Sequence, residues 1–162
     1  MKILVMSDSH GWDYNAAEAV RREKTMDALI HLGDVQETMA QFLRGSGVCC
    51  PAYMVEGNCD MDGWYPREQI VELGGHRLLL THGHDFYVRF GTEELHDEAI
   101  RNQCDLALFG HTHMPLIEEK DPAVLILNPG SISSPRQENG RPSYLVLELE
   151  ADRRPAAELR YL

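Results

Sequence analysis

The chain has 162 residues, 43% hydrophobic and 25% charged, the proportions of one globular domain over residues 1–162 that buries roughly two-thirds of its unfolded surface. No run of about twenty apolar residues occurs, which excludes a membrane-spanning helix. The net charge of −11 argues against an extended nucleic-acid surface, because tight binding to a phosphate backbone relies on clustered Lys and Arg.

Residues 1–6 are apolar apart from Lys2 and read as a strand buried on both faces. A strand starting at Lys2 leaves no room for a signal peptide, so a cytoplasmic location is expected. The strand runs into Asp8-Ser9-His10. Asp13 is placed to cap a helix from 14 to about 24, with Ala16, Ala17, Ala19 and Val20 facing inward. Residues 28–32 form a second strand ending in Gly33-Asp34. A shorter helix over 37–44 stops at Gly45-Ser46-Gly47, and 50–55 make a third strand, with Pro51 near its start, leading to Gly57-Asn58. This alternation predicts parallel strands joined by right-handed crossovers.

The second half is richer in strands. Segment 61–67 is expected to be exposed, and its Trp64 and Tyr65 either line a substrate mouth or simply pack. Residues 69–73 and 77–81 make a hairpin about Gly74-Gly75, ending in Thr81-His82-Gly83-His84. A helix over 92–102 carries Glu93 and Glu94 in its positive first turn, and strand 106–109 leads into Gly110-His111-Thr112-His113. Strands 114–119 and 123–127 pair across a turn, and polar 133–142 reads as a mobile loop. Residues 143–150 alternate from Tyr144, with Glu148 and Glu150 outward, and 156–162 are their antiparallel partner. The late strands predict a second sheet packed on the first, with room for an apolar patch that would make a homo-oligomer.

The four cysteines, Cys49, Cys50, Cys59 and Cys104, lack the spacing of a structural zinc site and read as free thiols of a reducing compartment, Cys50 and Cys104 as small buried hydrophobes.

Five clusters of metal-ligand residues follow apolar runs and are bordered by glycine: Asp8/His10, Asp34, Asn58, His82/His84 and His111/His113. Any one of these histidines alone would more often be a packing or surface residue. Five such clusters in order, all with oxygen or imidazole donors, point to a pair of hard or borderline divalent cations gathered at a sheet edge. Asp8 and His10, two apart, can project to one side and hold one ion. Asp34 has two carboxylate oxygens and can bridge two. Asn58, His82, His111 and His113 complete two shells with positions left open. Two cations ~3.5–4 Å apart would share a bridging hydroxide and clamp phosphoryl oxygens, supplying positive charge that this acidic chain lacks.

These motifs resemble the calcineurin-like metallophosphoesterase superfamily, with its D-x-H, G-D, G-N-H-[DE], lone His and G-H-x-H. The short length, the Gly57-Asn58-Cys59-Asp60 variant and the turn at Asn128-Pro129-Gly130-Ser131 are similar to its small prokaryotic phosphodiesterase branch. The resemblance implies an α/β fold, a four-layer α-β-β-α sandwich of two mixed sheets (metallo-dependent phosphatase-like). It implies two divalent metal ions, Mn²⁺ first and Ni²⁺, Fe²⁺, Zn²⁺ or Co²⁺ as alternatives. Asp8, His10 and His113 would hold one, Asn58, His82 and His111 the other, with Asp34 bridging. The catalytic set it implies is Asp34, Asn58, Cys59, Asp60 and His82, acting on a small phosphoester. His84 would be a supporting contact. Many members carry His where this chain has Cys59, and Asp60 pairs with that His; a thiol is a weak donor, so esters with good leaving groups are favoured. The alternatives are a non-catalytic binding scaffold on the same fold, a phosphomonoesterase or a nuclease.

Overall fold

Ile3, Leu4, Val5 and Met6 are all buried because the strand that carries them has an apolar layer on each side. The computed structural model describes residues 1–61 and 63–162. Their order is β1 (Lys2–Met6), α1 (Asp13–Glu23), β2 (Ala28–His31), α2 (Met39–Ser46), β3 (Ala52–Met54), β4 (Glu68–Leu73), β5 (His76–Thr81), a 3-10 turn (His84–Phe86), α3 (Glu93–Arg101), β6 (Leu106–Leu108), β7 (Pro115–Glu119), β8 (Leu125–Pro129), β9 (Ser143–Glu148) and β10 (Ala156–Tyr161). One five-stranded sheet has the order β10-β9-β1-β2-β3 and the other β4-β5-β6-β8-β7. Both are mixed: β1, β2 and β3 are parallel, as are β5, β6 and β8, while β9, β10, β4 and β7 pair antiparallel.

Strand alternation sorts the apolar side chains into three layers. Ile3, Val5, Ile30, Leu80, Leu108 and Leu145 fill the space between the sheets. Leu4, Met6 and Leu29 point the other way, onto Ala16, Ala19 and Phe42 of α1 and α2. Leu79 and Ala107 meet Leu95 and Ala99 of α3 on the far side. The result is the expected α-β-β-α sandwich, held mainly by burial worth about 1.5–3 kcal/mol for each large apolar side chain.

Several local expectations change. Strands β9 and β10 join the first sheet beside β1, not a second sheet, since Lys2 to Val5 offer a free strand edge that β9 fills. With neighbours on both sides and layers on both faces, β9 is buried from Ser143 to Leu147, so its alternation does not become exposure; Glu148 and Glu150 are outward as expected. Asp13 is the first helical residue, with no side-chain cap at Trp12, and α1 buries Ala16, Ala19 and Glu23 while Ala17 and Val20 are only partly covered. Helix α2 begins later and runs through Gly45. Thr38 caps it by accepting from the Gln41 amide, and Gly47 ends it in the left-handed conformation. A side chain at Gly45 would collide with Asp13, which is why glycine sits inside that helix.

Segment 133–142 is tied down at its start: Ser133 Oγ donates to the carbonyls of Asp8 and Ser9 at 2.8 Å, and the Arg136 amide donates to His113 O at 3.1 Å. In segment 61–67, position 62 lies outside the described residues. Trp64 is exposed, whereas Tyr65 is buried and donates its hydroxyl to Glu37 O at 2.6 Å, a packing role. All four cysteines are free; Cys104 is buried and Cys50 is half-buried.

Candidate metal centre

The strand ends meet because their loops share backbone hydrogen bonds. The amides of Asp8 and His10 donate to the carbonyls of Gly33 and Asp34 at 3.0 and 2.9 Å, and Gly110 N donates to His82 O at 3.1 Å. Ser131 Oγ donates to Asp8 O at 2.9 Å, and Asn128 Nδ2 to Gly110 O at 2.8 Å, so the turn after β8 clamps two of these loops together. Gly57 and Gly33 permit the close approach. A Cβ on Gly57 would overlap Asp34 N and Oδ1, and one on Gly33, whose φ is +91°, would lie 2.7 Å from His82 Nδ1.

Asp8, His10, Asp34, His111 and His113 all adopt positive φ, between 50° and 65°, a conformation non-glycine residues rarely hold. Backbone strain concentrated at five candidate ligands is a signature of a site imposed by its surroundings.

The structure brings six of the seven predicted ligands together. One donor atom from each of Asp8, His10, Asp34 and His113 lies within 4.8 Å of the others. His113 Nε2 is 3.0 Å from Asp8 Oδ1 and His10 Nε2 3.9 Å from Asp34 Oδ2. His82 Nε2 approaches the same Asp34 Oδ2 at 3.5 Å, and the His111 ring stands edge-on to His82 at 5.1 Å. His84 lies beside both, its ring 5.4 Å from His82 and 6.1 Å from His111. Asn58 is carried by the same loops but exposed; its amide nitrogen donates to Cys59 Sγ at 3.2 Å, and no side-chain hydrogen bond joins it to the other six among the described residues.

The donors are oriented for cations. His82 Nδ1 donates to Leu32 O and His113 Nδ1 to Ser134 O, both at 2.6 Å, leaving each Nε2 as the free donor nitrogen turned inward. His82 Nε2 is buried without a hydrogen-bond partner, and so is Asp8 Oδ1 when the nitrogen 3.0 Å away, His113 Nε2, carries no proton because Nδ1 does. His10 Nε2 faces His113 Nε2 at 3.4 Å, so a proton on the first or a cation between them would satisfy the pair. These orphaned, convergent donors fit divalent metal ions.

Charge in the pocket says the same. Burial would raise the carboxyls of Asp8 and Asp34, but His113 and His82 at the first, and His82 and the Cys59 amide at the second, outweigh it and hold both below the ordinary carboxylate range. Burial would lower the His82 imidazole, yet Asp34 and Asp8 hold it above its usual value, so this position attracts positive charge. His111 is pushed down to about 4 by burial, then by His82 and Arg89, and is a neutral donor at pH 7. Burial and the Asp34 carboxylate push the Cys59 thiol up to about 11, keeping it protonated.

Asp60, in the expected catalytic set, is tied to backbone amides. Its Oδ2 accepts from the amides of Asp34 and Gly57, both at 2.8 Å, and its Oδ1 from Gln36 N at 2.6 Å. Both oxygens are spent on stitching the second cluster to the third, which makes Asp60 a positioning residue. Two further supports escaped the sequence reading. His31, fully buried and pushed down to about 3 by burial, is neutral and lies 3.1 Å from Ser9 Oγ inside the first loop. Ser133 holds the same loop through Asp8 O and Ser9 O. Neither has a motif that marks it; His31 could have been flagged only as a polar residue inside an apolar strand.

The family model described as the calcineurin-like phosphoesterase superfamily domain matches residues 1–152. A probable metallophosphoesterase of Bacillus subtilis, YsnB, is 34% identical over 163 residues, spanning 99% of this chain and 90% of the relative. The phosphodiesterase YfcE of Escherichia coli is 32% identical over 173 residues, spanning 91% of this chain and 88% of the relative. Among solved structures, a conserved protein of Streptococcus pneumoniae, described as a predicted phosphoesterase, superposes with a TM-score of 0.84 at 31% identity, covering 99% of this chain and 88% of its own.

Proposed function

The chain belongs to the calcineurin-like phosphoesterase superfamily, and from that premise we propose that it is a metal-dependent phosphodiesterase acting on small phosphate diesters through a two-cation centre. The observation that carries this reading is the convergence of buried Asp8 Oδ1 and His82 Nε2, 4.0 Å apart and without a hydrogen-bond partner, with His82 Nε2 also 3.5 Å from Asp34 Oδ2. Asp8, His10 and His113 would hold one ion, His82, His111 and Asn58 the other, and Asp34 would be shared. The exposed Asn58 amide has a single hydrogen bond among the described residues, to Cys59 Sγ, so little holds that side chain back from a cation. When bound, two divalent cations polarise the phosphoryl oxygens and acidify a water for in-line attack, and Mn²⁺ is the ion proposed.

The chain's own residues set the geometry of that reaction. Leu32 O and Ser134 O fix the tautomers and tilts of His82 and His113. The Cys59 amide, 2.8 Å from Asp34 Oδ1, orients the shared carboxylate so that Oδ2 faces both histidine groups. Cys59 Sγ, neutral and a weak donor, offers little proton transfer to a departing oxygen, which favours diesters whose leaving groups need no protonation. A binding scaffold has no need of strained backbone at five ligand positions, so hydrolysis is the better reading. The free cysteines suit a reducing compartment, and a cytoplasmic location is proposed on that ground.

The test is hydrolysis of bis(p-nitrophenyl) phosphate with added Mn²⁺. Turnover lost on chelation and in Asp34→Asn is expected; turnover that survives both treatments contradicts the proposal.

A further inference from the structure

A cavity of about 460 Å³ opens beside the last ligand loop, walled by Val88, Phe109, Met114 and Leu116 and edged by Arg89 and Arg136. Its size is that of a small-molecule site. Two connections tie it to the metal centre. Its lining includes Thr112, between His111 and His113, and the Arg136 amide donates to His113 O at 3.1 Å.

The chain has 15 Lys and Arg against 26 Asp and Glu, and Arg67, Arg77 and Arg160 each sit on a carboxylate. Among the described residues Arg89 and Arg136 make no ion pair, and both are exposed at the edge of an apolar hollow. Lys24, Arg44 and Arg141 also make no ion pair among the described residues, but Arg89 and Arg136 are the two unpaired cations that line this cavity. Guanidinium groups left unpaired in an acidic protein, beside a place for phosphate, suit a second anionic group on the ligand.

We propose that this cavity is the specificity pocket of the diesterase, taking an ester substituent that has a flat apolar body and carries a second anionic group read by Arg89 and Arg136. The inference rests on the phosphodiesterase reading above. Val88, Phe109 and Leu116 cover the apolar body, and the two guanidiniums pair with the outer anion while the diester phosphorus lies at the metal ligands.

Two esters separate this from simple aryl binding: p-nitrophenyl p-carboxyphenyl phosphate and its neutral carboxamide isostere, which share a leaving group. With the Mn²⁺-loaded protein, kcat/KM is expected to favour the carboxylate about tenfold, the worth of about 1.4 kcal/mol in a charge-assisted contact. In the Arg89→Ala/Arg136→Ala double variant that ratio is expected to fall to about one. Equal rates on the two esters in the unaltered protein, or a preference that persists in the double variant, overturns the proposal. Calorimetric binding of p-carboxyphenyl phosphate and p-carbamoylphenyl phosphate to the same samples reads the pocket even if neither ester is turned over. Tighter binding of the carboxylate that disappears with the arginines supports it, and equal binding overturns it. Failure of hydrolysis with retained discrimination would count against the diesterase reading alone.

Discussion

Cys59 is where this site departs most from the superfamily pattern that it otherwise resembles. Its Sγ accepts from Asn58 and its thiol stays protonated, so it lies beside the reaction as a neutral, weakly donating group. Replacing it by His, as Cys59→His, is expected to raise kcat on an alkyl aryl diester with a poor leaving group about tenfold or more while changing bis(p-nitrophenyl) phosphate turnover little. An equal effect on both substrates would remove the leaving-group explanation. Asp60 is expected to act through the backbone. Asp60→Ala leaves the amides of Asp34, Gly57 and Gln36 without their acceptor and should cost about 2 kcal/mol in denaturant unfolding, with weaker metal retention. A variant that unfolds at the same denaturant concentration as its parent would show that these three bonds organise nothing. The donor types and their order were legible in the sequence; the job of Asp60 was not, because a carboxylate spent on three amides looks the same in one dimension as one facing a substrate.

At the scale of elements, the parallel strands, the hairpin and the ligand loops followed from hydrophobic runs ended by glycine. What escaped was the placement of β9 and β10, since their pairing with β1 spans almost the whole chain, Lys2 to Glu148, and no local signal records it. The start of the 133–142 loop differs from its expected mobility for a related reason: Ser133 looks like solvated linker but spends its hydroxyl on carbonyls of the first ligand loop. The register of α1 against the first sheet depends on a buried polar group. Glu23 meets Lys2 Nζ at 2.8 Å, Arg160 Nη1 at 2.7 Å and the Tyr144 hydroxyl at 2.8 Å. Burial alone would raise its carboxyl, but these partners hold it below the ordinary 4.5. A lowered folded pKa means stability that is present above about pH 4.5 and lost as pH falls through the folded value. Glu23→Gln is thus expected to cost about 2 kcal/mol at pH 7, with partly exposed partners limiting the loss, and the gap should close in acid. A gap that stays constant from pH 7 down to pH 2 would mean that the ion pairs contribute nothing. Gly57→Ala tests the loop contact: its Cβ would overlap Asp34, so metal affinity should fall at least tenfold, whereas unchanged affinity would show that the loops need not touch.

Over the whole molecule, two sheets pressed together make the ligand loops a rigid rim. Leu108 lies fully buried between them, directly behind Gly110-His111, and Leu108→Ala is expected to cost about 3 kcal/mol in a single cooperative unfolding transition. The protein is strongly acidic, with a net charge of −11, and on the proposed reading it would draw an anionic diester to two buried carboxylates. Cations held by the convergent histidines and aspartates would reconcile the two. The most direct measurement is the divalent metal content of purified protein at saturating Mn²⁺, taken alongside diester hydrolysis in the same sample. Two ions per chain, with Asp34→Asn lowering metal content and activity together, are expected. A folded protein that takes up no divalent ion at saturation would contradict the account.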